Sequence, residues 1–459
     1  MDFNIQYTDE NLHSNTGLSI LSKLLDSVCP NSLFDSHDLS FRSTKHAYSD
    51  RAILFTYLGL LLQGHTHYEN VDLYKSDKLF KKSLGLTRVP SKETLRQRFD
   101  ELGSPERSSL EALKKWNFEL LEKYCDPLPI KETSMIPVDF DVTVMDNTGS
   151  KKEGVAQTYR PKIKGYAPMM TNIGSQGYLL NHEFRKGNAH SNCTGTLEYI
   201  LESMSYARRL CPHAQLLARF DSGNDSEQNI IGLSGLKKVN YIIKHHLKGR
   251  NVQSSKATLI EYVMNNYVAK EEIEKNTVRY FAEQPFMAGM YDEDDNFVVC
   301  ECRRILSVIE LNTDMNTGEP LLIPYRSLHM WRTNLPIESY SPKRIIELYK
   351  DHGTSEQFHS EFKTDLDIER LPSSKFNTNA LFVSLAQIVF NLLRIIGNEA
   401  VKLDFFSCKG RRKRIRIRSV ILKIVLLPSK LIRKNKRWTI SLPRSNPLSK
   451  VFHQLYLSF

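Results

Sequence analysis

The stretch Gln215-Leu216-Leu217-Ala218-Arg219-Phe220-Asp221 predicts a buried β-strand that ends on a carboxylate. A helical pattern follows it through Ile230, and the apolar run from Val239 to Lys244 predicts the next strand. Two more predicted strands and an amphipathic helix lie upstream, at 135–144, 178–184 and 194–210. Because strands come first and strand and helix then alternate, the pattern predicts an α/β fold with a mixed sheet and helices packed on it.

The size and charge of the chain restrict what it can be. With 459 residues it exceeds the usual size of one hydrophobic core, so about two to four domains are expected. Its formal charge of +11 favours an acidic partner, above all nucleic acid, although a basic surface also serves solubility. The 7 scattered cysteines are typical of reduced thiols in the cytoplasm, and the acidic N-terminal residues do not predict a signal peptide.

The segment from Leu381 to Ile396 is the most apolar part of the chain and is long enough to suggest a membrane span. Gln387, Asn391 and Arg394 interrupt it. Such polar side chains are unfavourable in lipid, so the segment is predicted to be a buried core helix, and no membrane partner is expected.

A second informative stretch runs from Tyr349 to Lys363. At 3.6 residues per turn, five of its side chains fall on one face, here called the Glu356 face: Tyr349, His352, Glu356, Ser360 and Lys363. The carboxylate suits a divalent cation, and the histidine and lysine suit a polyanion beside it. Taken alone, the pattern also fits an exposed charged helix.

Three carboxylates give this face a chemical context. Asp141 lies on the first predicted core strand, Asp221 ends a buried strand, and Glu356 lies on the late helix. Carboxylates brought together in a core repel one another, and a pair of divalent cations about 3.5–4 Å apart would remove that repulsion. Such a pair could also polarise a phosphodiester and activate a nucleophile, so the three residues are predicted to be catalytic metal ligands.

The spacing of the Glu356 face resembles the Y-x2-R-x3-E-x6-K pattern of DDE transposases from bacterial insertion sequences. Asp141-x-Thr143 resembles the first-aspartate strand of that group, and the segment from Arg219 to Gly223 resembles its second-aspartate turn. Three further segments make the chain most similar to the insertion sequence 1380 group: Thr158-Tyr159-Arg160, Gly165-Tyr166-x-Pro168 and Arg185-x-Gly187-Asn188. The resemblance runs from about residue 50 to the C-terminus.

This resemblance implies a ribonuclease-H-like core with a β-rich insertion between the second aspartate and the glutamate. It implies two Mg²⁺ or Mn²⁺ ions as cofactors, held by Asp141, Asp221 and Glu356, with Tyr349 and Lys363 contacting terminal phosphates. The implied function is cut-and-paste transposition: binding of inverted terminal repeats, cleavage of DNA and strand transfer into target DNA. The implied assembly is a homodimer or larger complex on paired ends, in the bacterial cytoplasm at the nucleoid.

Asp139 and His352 are two positions at which the sequence leaves the role of the residue open. Asp139 lies two residues before Asp141 and therefore points to the same side of a strand, so it is an alternative first ligand. The match to the Asp-x-Thr pattern favours Asp141. His352 stands where the pattern has arginine, and it would offer DNA one donor with a pH-dependent charge instead of a permanent bidentate contact.

Further DNA contacts are predicted outside the Glu356 face. Trp331 could stack on a flipped or unpaired base, although a tryptophan packed in a buried strand is the alternative. In the basic run from Lys409 to Arg418, a strand would place Arg414, Arg416 and Arg418 on one face, which suits a phosphate backbone. The predicted DNA contacts in this run are Arg412, Arg414 and Arg416. A sheet edge protected by charge is the alternative for this run.

These patterns divide the chain into five predicted regions, in which the capped basic pattern of Pro90 to Phe99 suggests a helix-turn-helix. The regions are a helical DNA-binding domain (1–130), the first part of the catalytic core (131–246), the β-rich insertion (247–325), the second part of the core with the Glu356 helix (326–400) and a basic C-terminal β tail (401–459). Two alternative functions stay open: a catalytically silent, transposase-derived DNA-binding regulator, and a nuclease of the same fold without strand transfer.

Overall fold

A nine-stranded mixed sheet is the largest element of the fold. The computed structural model describes residues 3–28, 48–131, 133–274, 276–292, 294–314, 317, 319–403 and 414–459. The strands in chain order are β1 (Leu12–His13), β2 (Met135–Val142), β3 (Met145–Asp146), β4 (Ala156–Gln157), β5 (Lys164–Tyr166), β6 (Met169–Ile173), β7 (Tyr178–Glu183), β8 (Gln215–Phe220), β9 (Val239–His245), β10 (Ala269–Glu274), β11 (Thr277–Tyr291), β12 (Phe297–Thr313), β13 (Pro320–Thr333), β14 (Ser429–Lys434) and β15 (Arg437–Ser441).

One half of the large sheet has the order β7-β6-β2-β8-β9. β2 lies in the middle of this half, antiparallel to β6 and parallel to β8, and β8 is parallel to β9. Helix Thr196–Leu210 leads from β7 into β8, and helix Glu227–Ser234 connects β8 to β9. The α/β pattern with a mixed sheet that the sequence predicts is therefore confirmed.

The parallel pair β2 and β8 determines where the candidate site forms. Both strands are apolar and buried nearly throughout, as is usual for strands covered on both faces. Their rings stack, with the centroids of Phe140 and Phe220 4.5 Å apart. Since the two strands run in the same direction, their carboxyl ends meet at one edge of the sheet, and this brings Asp141 and Asp221 to the same edge.

The other half of the sheet consists of the long strands β10 to β13, which continue from β9 through β13. β13 runs without a break from Pro320 to Thr333, and its last four residues, from Met330, pair with β9. The strands β10 to β13 lie within and next to the region that the sequence predicts to be β-rich, but helix Val252–Asn266 was not predicted. Val263 is the one buried residue of this helix. Its apolar stripe is therefore too narrow to give a clear helical periodicity in the sequence.

Helices of the N-terminal region pack around the central helix Phe376–Lys402. In helix Lys92–Leu102 the Ser91 hydroxyl caps the helix start by accepting from the Thr94 N–H, as the sequence predicts, and Phe99 stacks on Phe382 at 4.6 Å. These helices are Leu18–Val28, Asp50–Leu61, Lys78–Ser83, Lys92–Leu102 and Ser109–Tyr124.

The central helix Phe376–Lys402 is the one helix among the described residues that is long and apolar enough to cross a membrane, and its apolar segment is entirely buried in the protein. The three polar residues that interrupt this apolar segment have partners. Gln387 donates to the Leu179 carbonyl (3.0 Å), Asn391 bonds to Asn117 (2.7 Å), and Arg394 pairs with Glu361 (3.0 Å). The predicted buried core helix is confirmed.

Replacing Asn391 with alanine is expected to lower the free energy of unfolding by about 2 to 4 kcal/mol, because it leaves buried groups without partners. Asn391 accepts from the Leu179 N–H (2.9 Å) and donates to Asn117. Chemical denaturation of the variant would measure the loss. Asn398→Ala is the matched control: its amide donates to the Tyr178 hydroxyl (2.8 Å) but is only half-buried, so a loss below about 1 kcal/mol is expected. Equal losses in the two variants would contradict this account.

The described part of the basic C-terminal segment, from Arg414 onward, does not form the predicted strand. Arg414 and Arg416 precede a short helix, Ile417–Val420, and residues 409–413 lie outside the described residues. The physical reason is a pair of buried carboxylates: Glu361 accepts from the Ile417 N–H (3.0 Å), and Asp365 accepts from the Arg418 N–H (3.1 Å). These bonds satisfy free N–H groups at the start of the helix.

The rest of the tail joins the two ends of the chain. β14 and β15 form a hairpin, and β14 pairs with β1, so that Leu12 lies opposite Lys430. The last helix is Leu448–Ser458. The predicted β character of the tail therefore lies about 15 residues beyond the arginines to which the sequence pattern assigned it.

Candidate active site

A cavity of about 620 Å³ opens at the sheet edge where β2 and β8 end, and Asp141, Asp221 and Glu356 all line it. It is called the carboxylate cavity below. The three residues are far apart in the chain and come from two strands and a helix. The structure thus brings the three predicted catalytic carboxylates to one opening.

Asp141 lies near the end of β2 and is mostly buried. Its Oδ2 atom is 3.5 Å from Nδ1 of His359, whose own pKa burial lowers to about 3, so that the imidazole is neutral. Burial raises the pKa of Asp141 to about 6, and the charges of Asp221 and Glu356 act in the same direction, against the opposing effect of His352. The charges of Asp221 and Glu356 therefore act on Asp141 across the cavity.

Asp221 begins the turn Ser222–Asn224 directly after β8. Its carboxylate caps this turn by accepting a hydrogen bond from the Gly223 N–H, and the side chain is exposed to the cavity. The turn holds the carboxylate in place, and the aspartate needs no other element to orient it.

Glu356 lies on a helical stretch that is less regular than the sequence predicts. Helix Pro342–Lys350 passes through a 3₁₀ turn into helix Thr354–Ser360, which widens into a π-helical turn over Glu361–Asp365. π-helical turns are frequent at functional sites. In spite of these irregularities, all five side chains of the Glu356 face line the carboxylate cavity.

The donor set of the cavity fits a hard divalent cation. In the described part of the chain, no three His, Cys, Asp or Glu residues lie close enough together to hold a metal ion as they stand. The carboxylates nevertheless face one space, and their repulsion adds to the effect of burial in raising the pKa of Asp141. A bound cation is the partner that would relieve this repulsion, and carboxylate oxygens are the ligands that Mg²⁺ uses.

Asp139 occupies a different environment, although it lies on the same strand. Arg219 donates hydrogen bonds to both carboxylate oxygens of Asp139, at 2.6 and 2.7 Å, and to the Leu348 carbonyl at 2.7 Å. His352 adds a bond from Nδ1 at 3.0 Å. Burial by itself would raise the pKa of Asp139, but Arg219 and His352 outweigh it and hold the pKa below its usual range. Asp139 does not line the carboxylate cavity, and the structure uses it as the centre of a buried ion pair.

His352 is therefore a buried link between β2 and the Glu356 helix, with 6% of its surface exposed at the cavity wall. Its neighbour Tyr349 makes an edge contact with Trp331 at 6.0 Å. Lys363 donates to the Val144 carbonyl at 2.7 Å, and burial lowers its pKa. These three predicted DNA contacts reach the cavity, but each is also part of its wall.

Trp331 is placed inside the protein, where no base could stack on it. It is 7% exposed and lies between Tyr349 and His329, in the apolar cluster beneath β13. The predicted base contact is thus not formed in this structure, because the alternation of β13 turns the indole toward the core. The packed-strand alternative agrees with the structure.

Arg414 and Arg416 also have partners within the chain. Arg414 pairs with Glu361, a buried carboxylate that also pairs with Arg394. Arg416 pairs with Asp365 at 2.9 Å. Both arginines line a second cavity of about 700 Å³ that shares Glu356 with the carboxylate cavity. Their charges are largely neutralised where they lie, and Arg412 falls outside the described residues.

The sequence patterns missed several cavity residues. Tyr159 and Arg160 line the cavity from the loop between β4 and β5, Lys244 lines it from β9, and Lys350 lines it from the end of helix Pro342–Lys350. One signal was available: Tyr159 and Arg160 lie in a segment that supports the family resemblance. No local pattern marks the two lysines, because each becomes a cavity residue only through the pairing of distant elements.

Comparisons with known proteins give one match over the whole chain. The family model described as transposase DDE domain group 1 matches residues 2–458. No curated protein matches the chain. Among solved structures, the cryo-EM structure of a piggyBac transposase synaptic complex with hairpin DNA is similar at 11% identity and a TM-score of 0.39, covering 90% of this chain and 80% of that chain.

Proposed function

Because this chain belongs to the family of transposases with a group 1 DDE domain, we propose that it binds the inverted terminal repeats of its own element, cleaves the DNA there and joins the ends to a target. The observation that carries the proposal is the convergence of Asp141, Asp221 and Glu356 on one cavity. Cationic side chains line the same cavity, which suits a polyanionic substrate.

The sheet topology supports a ribonuclease-H-like core for this family member. An antiparallel meander, β2-β6-β7, is followed by two parallel strands added on the other side of β2. The first aspartate lies on β2, and the second directly follows the adjacent strand β8. The strands β10 to β13 lie between Asp221 and Glu356 in the chain, where the resemblance implies an insertion. Membership of the insertion sequence 1380 group and a bacterial source are part of the proposal.

In the proposed mechanism Asp141, Asp221 and Glu356 hold two Mg²⁺ or Mn²⁺ ions. Bound there, the metals would polarise the scissile phosphate and activate first water and then a 3′ hydroxyl as nucleophile. The chain positions the DNA: the Lys363 ammonium, held by the Val144 carbonyl, faces the phosphates from the Glu356 helix. Tyr349 and His352 form the adjacent wall.

The remaining regions are proposed to deliver DNA to this cavity. Helix Lys92–Leu102 buries Leu95, Phe99 and Leu102 and exposes Arg96, which pairs with Asp100 at 4.0 Å at the surface. Arg96 is the residue of this helix proposed to contact a DNA backbone. A homodimer or larger assembly on paired ends would couple the cleavage of one end to the capture of the other. We propose that the protein has the five functional regions derived from the sequence: 1–130, 131–246, 247–325, 326–400 and 401–459.

The proposed function is tested with purified protein and a duplex that carries the inverted repeats flanking its gene. We expect Mg²⁺- or Mn²⁺-dependent cleavage at the repeat ends, and joining of precleaved 3′ ends to a target plasmid. Chelation of the metal should abolish both reactions and leave binding. Cleavage without joining would indicate a nuclease, and metal-independent binding without either reaction would indicate a silent DNA-binding regulator; each result would overturn the proposal.

A further inference from the structure

The loop of residues 158–163, which joins β4 to β5, is held in one shape by its own hydrogen bonds. The Gln157 amide donates to the carbonyls of Arg160 (2.9 Å) and Ile163 (3.1 Å), and the Thr158 hydroxyl donates to the Ile163 carbonyl (2.9 Å). Lys162 takes a positive φ of 66°, which closes the turn. The loop is therefore preorganised and needs little ordering when a ligand binds.

The loop presents an exposed aromatic ring at the carboxylate cavity. Tyr159 is 60% exposed and lines the cavity together with Asp141, and its hydroxyl donates to the Val142 carbonyl at 3.4 Å. The other aromatic ring among the described lining residues, Tyr349, is packed against Trp331. A ring held in one position at an open cavity can present its face to a ligand.

Positive charge surrounds this ring. Arg160 lies beside it, with the guanidinium 5.9 Å from the ring centroid. Lys244 and Lys350 line the cavity from other elements. In the part of the chain that the structure describes, none of these three cations forms an ion pair with a carboxylate, although the catalytic carboxylates lie in the same cavity. Free cations beside acidic residues indicate a site for a ligand with several negative charges.

We propose that this loop binds the single-stranded end of the DNA at the cut. Tyr159 stacks on an unpaired nucleobase next to the reacting phosphate, and Arg160 binds the neighbouring phosphate. The base must be unpaired because a side-chain ring can cover the face of a base only outside the duplex stack. The inference rests on the proposed function for the identity of the ligand, and it assigns to Tyr159 the stacking role that the buried Trp331 cannot perform.

The test compares two fluorescein-labelled probes of mixed sequence, a short blunt duplex and the same duplex with a single-stranded 3′ extension, in EDTA to prevent cleavage. The wild-type protein should prefer the extended probe. Tyr159→Ala should weaken binding of the extended probe about tenfold and leave the blunt probe unchanged, since stacking on one base is worth a factor of this order. Tyr159→Phe keeps the ring and should bind like the wild type.

Charge is tested in the same assay. Arg160→Gln should weaken the extended probe and reduce the salt dependence of its binding by about one phosphate contact. Lys162→Gln is the matched control, because Lys162 lies exposed in the same loop but does not line the cavity. It should leave the preference for the extended probe intact. Unchanged melting temperatures would show that the variants are folded, as expected for exposed side chains.

A 2-aminopurine at the first nucleotide of the extension reports stacking directly. Its fluorescence should be quenched by the wild type and by Tyr159→Phe but not by Tyr159→Ala. No preference for the extended probe in the wild type, or equal weakening of both probes in Tyr159→Ala, would overturn the inference. The two proposals can fail separately. If Tyr159→Ala loses the preference for the extended probe, the inference is supported, even if the wild type neither cuts nor joins DNA. The absence of cutting and joining in the wild type would overturn the proposed function.

Discussion

Asp221→Asn is expected to reduce DNA cleavage and strand joining by about a thousandfold or more, because it removes one of the carboxylates that hold the catalytic cations and catalytic groups act as a unit. The asparagine has nearly the shape of the aspartate and can still accept the Gly223 N–H, so the turn after β8 should persist. Asp141→Asn and Glu356→Gln are expected to lose activity to a similar extent. Time courses of cleavage and joining with end DNA in Mg²⁺ would measure the effect.

Two comparisons make this prediction specific. Binding of end DNA in EDTA should be unchanged or stronger in the three variants, because a negative charge is removed beside the phosphates. Glu347→Gln is the control: Glu347 lies on helix Pro342–Lys350, pairs with Arg344 at 3.2 Å and does not line the cavity, so its activity should stay near that of the wild type. Activity in Asp221→Asn within tenfold of the wild type would refute the site assignment.

The second large effect concerns stability and distinguishes Asp139 from Asp141. Asp139→Ala is expected to lower the free energy of unfolding by about 3 to 5 kcal/mol, because it leaves the buried guanidinium of Arg219 without its partner. The lowered pKa of Asp139 means that its stabilising contribution is present at neutral pH and is lost only as the pH falls through that pKa. Urea denaturation in EDTA at neutral pH measures the change.

Asp141→Asn is expected to act in the opposite direction. The pKa of Asp141 rises from 3.8 to about 6 on folding, so the fold favours the protonated carboxyl, and stability falls as the pH rises between these values. At neutral pH, in the absence of metal, the uncharged asparagine should therefore raise the free energy of unfolding by about 1 to 3 kcal/mol. An Asp139 variant as stable as the wild type, or an Asp141 variant as destabilised as Asp139→Ala, would refute the distinct roles of the two aspartates.

Much of the site could be read from local patterns. The strand before Asp221 is recognisable because an apolar run followed by a carboxylate is the signature of a buried strand that ends at an edge. The helical spacing of the Glu356 face is likewise a local property, and its five side chains line one cavity even though 3₁₀ and π turns interrupt the helix. Cavity lining tolerates these irregularities, because each changes the direction of a side chain by only part of a turn.

Other assignments could not be made locally. The pattern at Trp331 favours a packed core residue and leaves a base contact open, and the burial of the indole depends on the packing of β13 against the helix that carries Tyr349. The arginines at 414 and 416 read as a free basic ribbon until Glu361 and Asp365, more than 50 positions earlier in the chain, are known to be buried beside them. Lys244 gains its place at the cavity only when β9 joins the sheet.

The sequence by itself predicted the α/β order of the elements, the family resemblance and the two carboxylates Asp221 and Glu356, because each depends on spacing within one strand, turn or helix. Only the tertiary structure decided between the two aspartates of β2. Arg219 lies 80 positions from Asp139, and His352 lies 213 positions away, yet both bond to it. An ion pair formed across the sheet enclosed Asp139 and left Asp141 facing the cavity, and no pattern within β2 contains that information.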